Sequence, residues 1–357
     1  VIRAVRFYDG RMLRDGMLVD GRLVAEPASA GTPALDGIVT GRFTDHHVHL
    51  QLVDPALLAG SRLGRVVDLG ANVDAIRALA SALEPRSARA DAARPTPRKE
   101  ENAASPSHEA ALSSSHPGEP NRADTDGSRA GVTVEYAGPF LTAIGGYPSD
   151  REWAPEGSVI ELRDAAHAAS VVAGLAAAGV SCLKTVGNSD AGPVLDDDLF
   201  RELARLAATH RLPLVAHAEG VGQAQRAARL GATRLAHSPF TELLTDDEVA
   251  AQAASVSWVS TMAIHDGEQY ANVVDNVRRF AAAGGELVYG SDMGNGPTPV
   301  DLRESEVAAL REAGVDGLAL LRTLAPGDPL GSDAPLLFLP EGDPARATPL
   351  TEEESED

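Results

Sequence analysis

Short runs rich in Val, Ile, Leu and Thr alternate along most of this chain with Ala- and Leu-rich stretches, and each run is followed by loop signals. That rhythm predicts parallel strands joined by crossover helices. The runs are IVTGRFTDHHVHL, GRVVDLG, VTVEYAGPF, VSCLKTVG, LPLVAHAEG, TRLAHSPF, SWVSTMAIH and ELVYGSDMG, and DDLFRELARLAATH is one of the helices between them. Parallel strands in that number, with an outer layer of helices, predict an α/β fold of the (β/α)8 TIM-barrel type. Two turn-linked β-like runs, IRAVRFYDG and MLVDGRLVA, precede the barrel, and PLLFLP follows its last helix. Paired, they would form a small β-sandwich domain from the two chain ends, with expected bounds 1–38 and 326–350 around a barrel spanning 39–325.

The pattern breaks between 86 and 130, where the only large aliphatic residue is Leu112 and no aromatic occurs. Such a segment cannot support a core and is expected to be a disordered, solvated insertion. Residues 351–357, TEEESED, are expected to be an acidic disordered tail, because adjacent like charges repel and nothing is apolar enough to bury.

Hydrophobic residues make up 43% and charged residues 23%, the balance of a globular protein. Acidic residues number 52 against 31 basic ones, a net charge of -21 that repels nucleic-acid phosphates and anionic lipid surfaces. Neither nucleic acid nor membrane is therefore an expected partner; a small-molecule substrate is, and a homo-oligomer is left open. One cysteine, Cys182, allows no internal disulfide, the first residues carry no long apolar stretch, and no run approaches the roughly 20 apolar residues of a bilayer span. A cytoplasmic location is the expectation.

Polar residues collect where the predicted strands end, and in this architecture those C-terminal ends form the active face. The first strand ends in Asp45-His46-His47-Val48-His49, and the period of two along a strand sends His47 and His49 to one side. His217, His237 and Asp292 occupy matching positions on other strands. Imidazoles and a carboxylate at converging strand ends are the donor set of a metal site. Lys184 ends the fourth strand, where an isolated ammonium pointing inward would be costly unless paired or neutralised.

In order and strand position, His47, His49, Lys184, His217, His237 and Asp292 resemble the amidohydrolase superfamily, specifically its binuclear, carboxylated-lysine branch. GPFLTAIGGYPSD, VSCLKTV, LVAHAEG and RLAHSPF are similar to imidazolonepropionase-like and Xaa-Pro dipeptidase-like members. Two departures stand out: Tyr147 follows the paired glycines where dipeptidase-like members tend to have His, and Gly220 stands three residues after His217 where deaminase-type members place an acid. Glu219 is one residue early.

The resemblance implies two divalent metal ions, zinc being the expected species, with His47, His49 and Asp292 on the inner one, His217 and His237 on the outer one, and a carbamate on Lys184 bridging them. It further implies hydrolysis of an amide, dipeptide or cyclic amide, with Asp292 shuttling the proton. A mononuclear deaminase and a non-catalytic metal-binding barrel are the rival readings. Tyr147, Asn188, His265 and Asn295 are the substrate-binding candidates, Asp45 is a candidate for orienting the histidines, Trp258 is expected in the core, and Cys182 is expected to be a small apolar filler.

Overall fold

The computed structural model describes residues 1–84, 131–330 and 335–350. The expected insertion at 86–130 and the acidic tail at 351–357 lie outside the described residues.

Two groups of parallel strands form the centre. One sheet runs in the order Leu287–Val288, Ser257–Val259, Arg234–Leu235, Leu214–Glu219, Leu183–Asn188, Phe140–Ala143 and Val159–Leu162, every neighbour parallel. The other pairs Phe43–Val48, Leu63–Asp68 and Thr133–Tyr136, also in parallel. Hydrogen bonds link them at both ends: His46 N donates to Tyr289 O at 2.9 Å beside a Val48–Met293 bridge, and Ser181 N donates to Tyr136 O at 2.9 Å. The expected third strand, VTVEYAGPF, is thus two. Gly138, at φ +76°, and Pro139, which has no N–H, break the ladder between them, so the first half pairs with Leu63–Asp68 and the second with Leu183–Asn188. Val159–Leu162 is a strand the pattern reading did not include.

Helices fill the connections, and their starts are written in short polar side chains. Asp164 caps Ala165–Ala178 through His167 N, Asp196 caps Asp197–Thr209 through Leu199 N, and Thr245 with Glu248 forms a reciprocal capping box on Asp246–Ala253. None of the described helices is long and apolar enough to cross a membrane.

The chain ends meet in one six-stranded sheet, Thr348–Pro349, Leu337–Pro340, Ala34–Thr40, Ile2–Tyr8, Leu13–Val19 and Arg22–Val24. Among the described residues these strands join one hydrogen-bonded sheet, where the sandwich expectation called for two. Its strand Ala34–Thr40 takes in the IVT that the pattern assigned to the first barrel strand. The break falls at Gly41, where a Cβ would sit 2.3 Å from Gly327 O.

Beneath the strand ends, Val67, Leu69, Ala137, Cys182, Val215 and Ala236 form a small apolar cluster. Alternation along the strands then carries the chemistry: Cys182, Lys184 and Val186 share one face, as do Val215, His217 and Glu219. Cys182 is packing, as expected, with burial pushing its thiol up to about 11. Trp258 is also core, stacked on Phe280 with centroids 3.7 Å apart.

Candidate functional site

Above that cluster opens a cavity of about 300 Å³, and His47, His49, Lys184, His217, His237 and Asp292 all line it. His47 Nδ1 lies 2.8 Å from the Ala236 carbonyl oxygen, which only accepts, so Nδ1 carries the ring proton and Nε2 is left as a lone pair. That Nε2 faces Asp292 Oδ1 at 3.2 Å and His49 Nε2 at 3.3 Å, and His49 Nε2 is itself 3.3 Å from Asp292 Oδ1. Burial holds His47 and His237 well below the ordinary imidazole range, so both are neutral. A carboxylate oxygen and an imidazole lone pair this close repel each other unless a cation sits between them, and the two nitrogens and one oxygen are a donor set that zinc accepts. His47, His49 and Asp292 therefore fit a metal ion.

Each member of this group is held in place by named neighbours. Asp292 sits at φ +54°, a left-handed conformation that costs an L-residue about 1–2 kcal/mol and that the surroundings must enforce. Asn295 Nδ2 donates to Asp292 Oδ2 at 2.7 Å. Thr261, at φ +41°, is a β-branched residue in the same rare region, and its Oγ1 lies 2.9 Å from His237 Nδ1. Glu306, fully buried, accepts from Met262 N and Ala263 N and so fixes the turn that presents Thr261.

Asp45 acts differently from the expected orienting of an imidazole. It accepts from His47 N at 2.9 Å, from Ser291 N at 3.1 Å and from Ser291 Oγ at 2.5 Å, tying the backbone of the first parallel strand to the approach to Asp292. The partner of the His47 ring is the Ala236 carbonyl instead.

Lys184 borders the same cavity, 2% exposed. Burial lowers its ammonium to about 7, against the opposing pull of Asp292, Cys182 and Asp68, so a substantial fraction of the amine is neutral near pH 7. His237 lies between His47 and His217, with ring centroids 4.7 and 4.8 Å away. His217 Nε2 faces Glu219 Oε2 at 3.0 Å. The strand runs on through Glu219 before turning at Gly220, φ +104°, which brings Glu219 to the side of His217.

The substrate-binding candidates divide. Tyr147 and Asn295 line the cavity, although the Asn295 amide is engaged with Asp292. Asn188 turns its side-chain oxygen to Asp190 N and Ala191 N, closing its own loop, and does not line the cavity. His265 lies beyond the strand end rather than on it, stacks on Phe240 at 3.9 Å and is not part of the wall; burial lowers it to about 4. Phe140, Trp153 and Thr261 were not singled out from the sequence. A tryptophan in the polar stretch REWAPEG, far from any apolar run, was the one available signal.

In fold the chain is similar to several solved structures, among them an amidohydrolase at TM-score 0.59 and 14% identity over 95% of this chain and 92% of that one. A Xaa-Pro dipeptidase with methionine bound in its active site is similar at TM-score 0.62 and 14% identity, covering 96% of this chain and 94% of that one. Ochratoxinase from A. niger is similar at TM-score 0.63 and 12% identity over 100% and 92%, and guanine deaminase from C. acetobutylicum at 0.51 and 12% over 94% and 90%. No family model and no curated protein matches the chain.

Proposed function

We propose that this chain is a metal-dependent hydrolase of a C–N bond in a small molecule, built on a closed (β/α)8 barrel with a small β-domain from its N- and C-terminal strands. The observation that carries the reading is the convergence of His47 Nε2, His49 Nε2 and Asp292 Oδ1 within 3.2–3.3 Å of one another in a cavity bordered by Lys184. Proteins that share the fold include a dipeptidase and a deaminase, which supports C–N chemistry in general.

His47, His49 and Asp292 would hold one divalent ion, zinc by donor type, and His217 with His237 a second. The neutral Lys184 amine would add to carbon dioxide, forming an N–C bond and losing a proton to solvent, and the resulting carbamate would join the two. When bound, such ions would lower the pKa of a water and polarise the carbonyl to be attacked. The remaining work belongs to the chain. Asp292 takes the proton from the attacking water and returns it to the leaving nitrogen, and Asn295 keeps Oδ2 engaged so that Oδ1 faces the cavity. Ala236 O and Thr261 Oγ1 fix the rings of His47 and His237.

One observation favours deamination as a second reading: the Glu219 carboxylate stands at the cavity edge against His217 and could protonate a ring nitrogen. The experiment is a panel of amides, lactams, dipeptides and amino-substituted purines and pyrimidines, scored separately for amine, carboxylate and ammonia. Amine and carboxylate released together, lost on chelation and restored by zinc, is the expected result. Ammonia alone from a ring amine, abolished by Glu219→Gln but not by Lys184→Ala, would replace hydrolysis with deamination.

A further inference from the structure

The cavity wall is a closed circuit of rings. From His47, an inner arc passes to His237 and His217 with centroids 4.7 and 4.8 Å apart, and His49 adjoins His47 at 5.1 Å. An outer arc completes it: His49 to Phe140 at 5.7 Å, Phe140 to Trp153 at 6.1 Å with the planes at 88°, Trp153 to Tyr147 at 6.1 Å, and Tyr147 back to His217 at 5.8 Å. Imidazoles thus face the reacting centre while three aromatic rings form the opposite wall. Trp153 is 42% exposed, so a large apolar face is left uncovered at the rim.

Charge is distributed as unevenly as polarity. Among the described residues that line the cavity, Lys184 is the one lysine or arginine, and it lies at the base. Arg151 stands over the Tyr147 ring at 5.5 Å, is paired with Asp150 at 3.3 Å and is not part of the wall. Asp292 and Glu219 supply negative charge within and beside the cavity, in a chain of net charge -21. A substrate carboxylate would be desolvated here, and none of the described residues that line the cavity offers it a free cationic partner above the base. One drawn inward would compete for the place of the scissile amide.

Resting on the hydrolytic reading above, we propose that the substrate is a neutral amide bearing a flat aromatic group, which packs against Phe140, Trp153 and Tyr147, with no carboxylate beside the scissile bond. Edge and face contacts with these rings supply the recognition. Dipeptides and N-acyl amino acids are then poor substrates.

The test uses a square of four compounds on full-length, metal-replete protein: N-benzoylethanolamine, N-benzoylglycine, N-acetylethanolamine and N-acetylglycine. The expected kcat/KM for N-benzoylethanolamine exceeds each of the others by at least about tenfold. Trp153→Ala is expected to shrink the benzoyl-to-acetyl ratio mainly through KM. The chain has two tryptophans, and Trp258 is buried against Phe280, so quenching of Trp153 fluorescence reads binding independently of turnover. Turnover with N-benzoylglycine or N-acetylglycine preferred would overturn this proposal and leave the hydrolytic reading standing. Selective quenching by N-benzoylethanolamine without turnover would support the aromatic recognition and overturn the hydrolytic reading. Absence of both turnover and quenching would overturn both.

Discussion

Glu219 Oε2 lies 3.0 Å from His217 Nε2, the ring atom that a metal ion on the outer side of the cavity would also need. Because a carboxylate only accepts, His217 donates in this contact, and donation to Glu219 competes with ligation. The hydrogen bond to His217 holds the Glu219 carboxyl below its ordinary value, against the effect of burial.

Weakening that competition, by replacing the carboxylate with a neutral amide, is expected to leave hydrolysis largely intact. Glu219→Gln should keep kcat/KM within about tenfold of the parent, since no general acid–base step, commonly worth about 10²–10⁴-fold, is assigned to it. A loss of a hundredfold or more in steady-state assays would make Glu219 part of the proton path.

Asp292→Asn is expected to lower kcat by at least about a hundredfold, the lower range for loss of a general acid–base group, while circular dichroism remains that of the parent. Asp292 owes its left-handed backbone to its surroundings, and Asn tolerates that region as well as Asp does, so the fold is spared. Near-parent kcat in this variant would assign the proton transfer to another group.

Much of this centre was legible in the sequence because a strand alternates. Two histidines at i and i+2 must share a face, and Lys184 two residues after the apolar Cys182 must share its face too. Of the outer arc, Tyr147 was a candidate from the sequence, whereas Phe140 and Trp153 were not. Phe140, Tyr147 and Trp153 meet only because the segment between two parallel strands folds back across the strand ends, and no periodicity encodes that path. Glu219 was ambiguous for a similar reason: whether it joins His217 depends on whether the chain turns before it or at Gly220. The halves of VTVEYAGPF read as one strand because Gly138 and Pro139 interrupt hydrogen bonding without interrupting the apolar run.

Stability should carry the signature of Glu306. Burial raises this carboxyl above its ordinary 4.5, against the hydrogen bonds it accepts from Ser260, Ala263 and Met262. Between the unfolded and folded values the native state holds the extra proton, so stability is fully present below about 4.5 and falls as pH rises toward the folded value. Glu306→Gln cannot ionise. It forfeits one acceptor and should melt lower at acid pH, but the gap in Tm from the parent should narrow as pH rises from 4.5 in thermal melts. A gap that stays constant or widens would show that Glu306 is not raised.

Elemental analysis of chelator-free protein measures directly the proposed pair of cations joined through Lys184. About two divalent ions per chain are expected for the parent; Lys184→Ala should lose at least one of them together with activity, and short carboxylates should restore part of that activity by supplying a substitute bridge. One tightly bound ion in fully active protein, with Lys184→Ala keeping both its metal and its activity, would contradict the bridged pair.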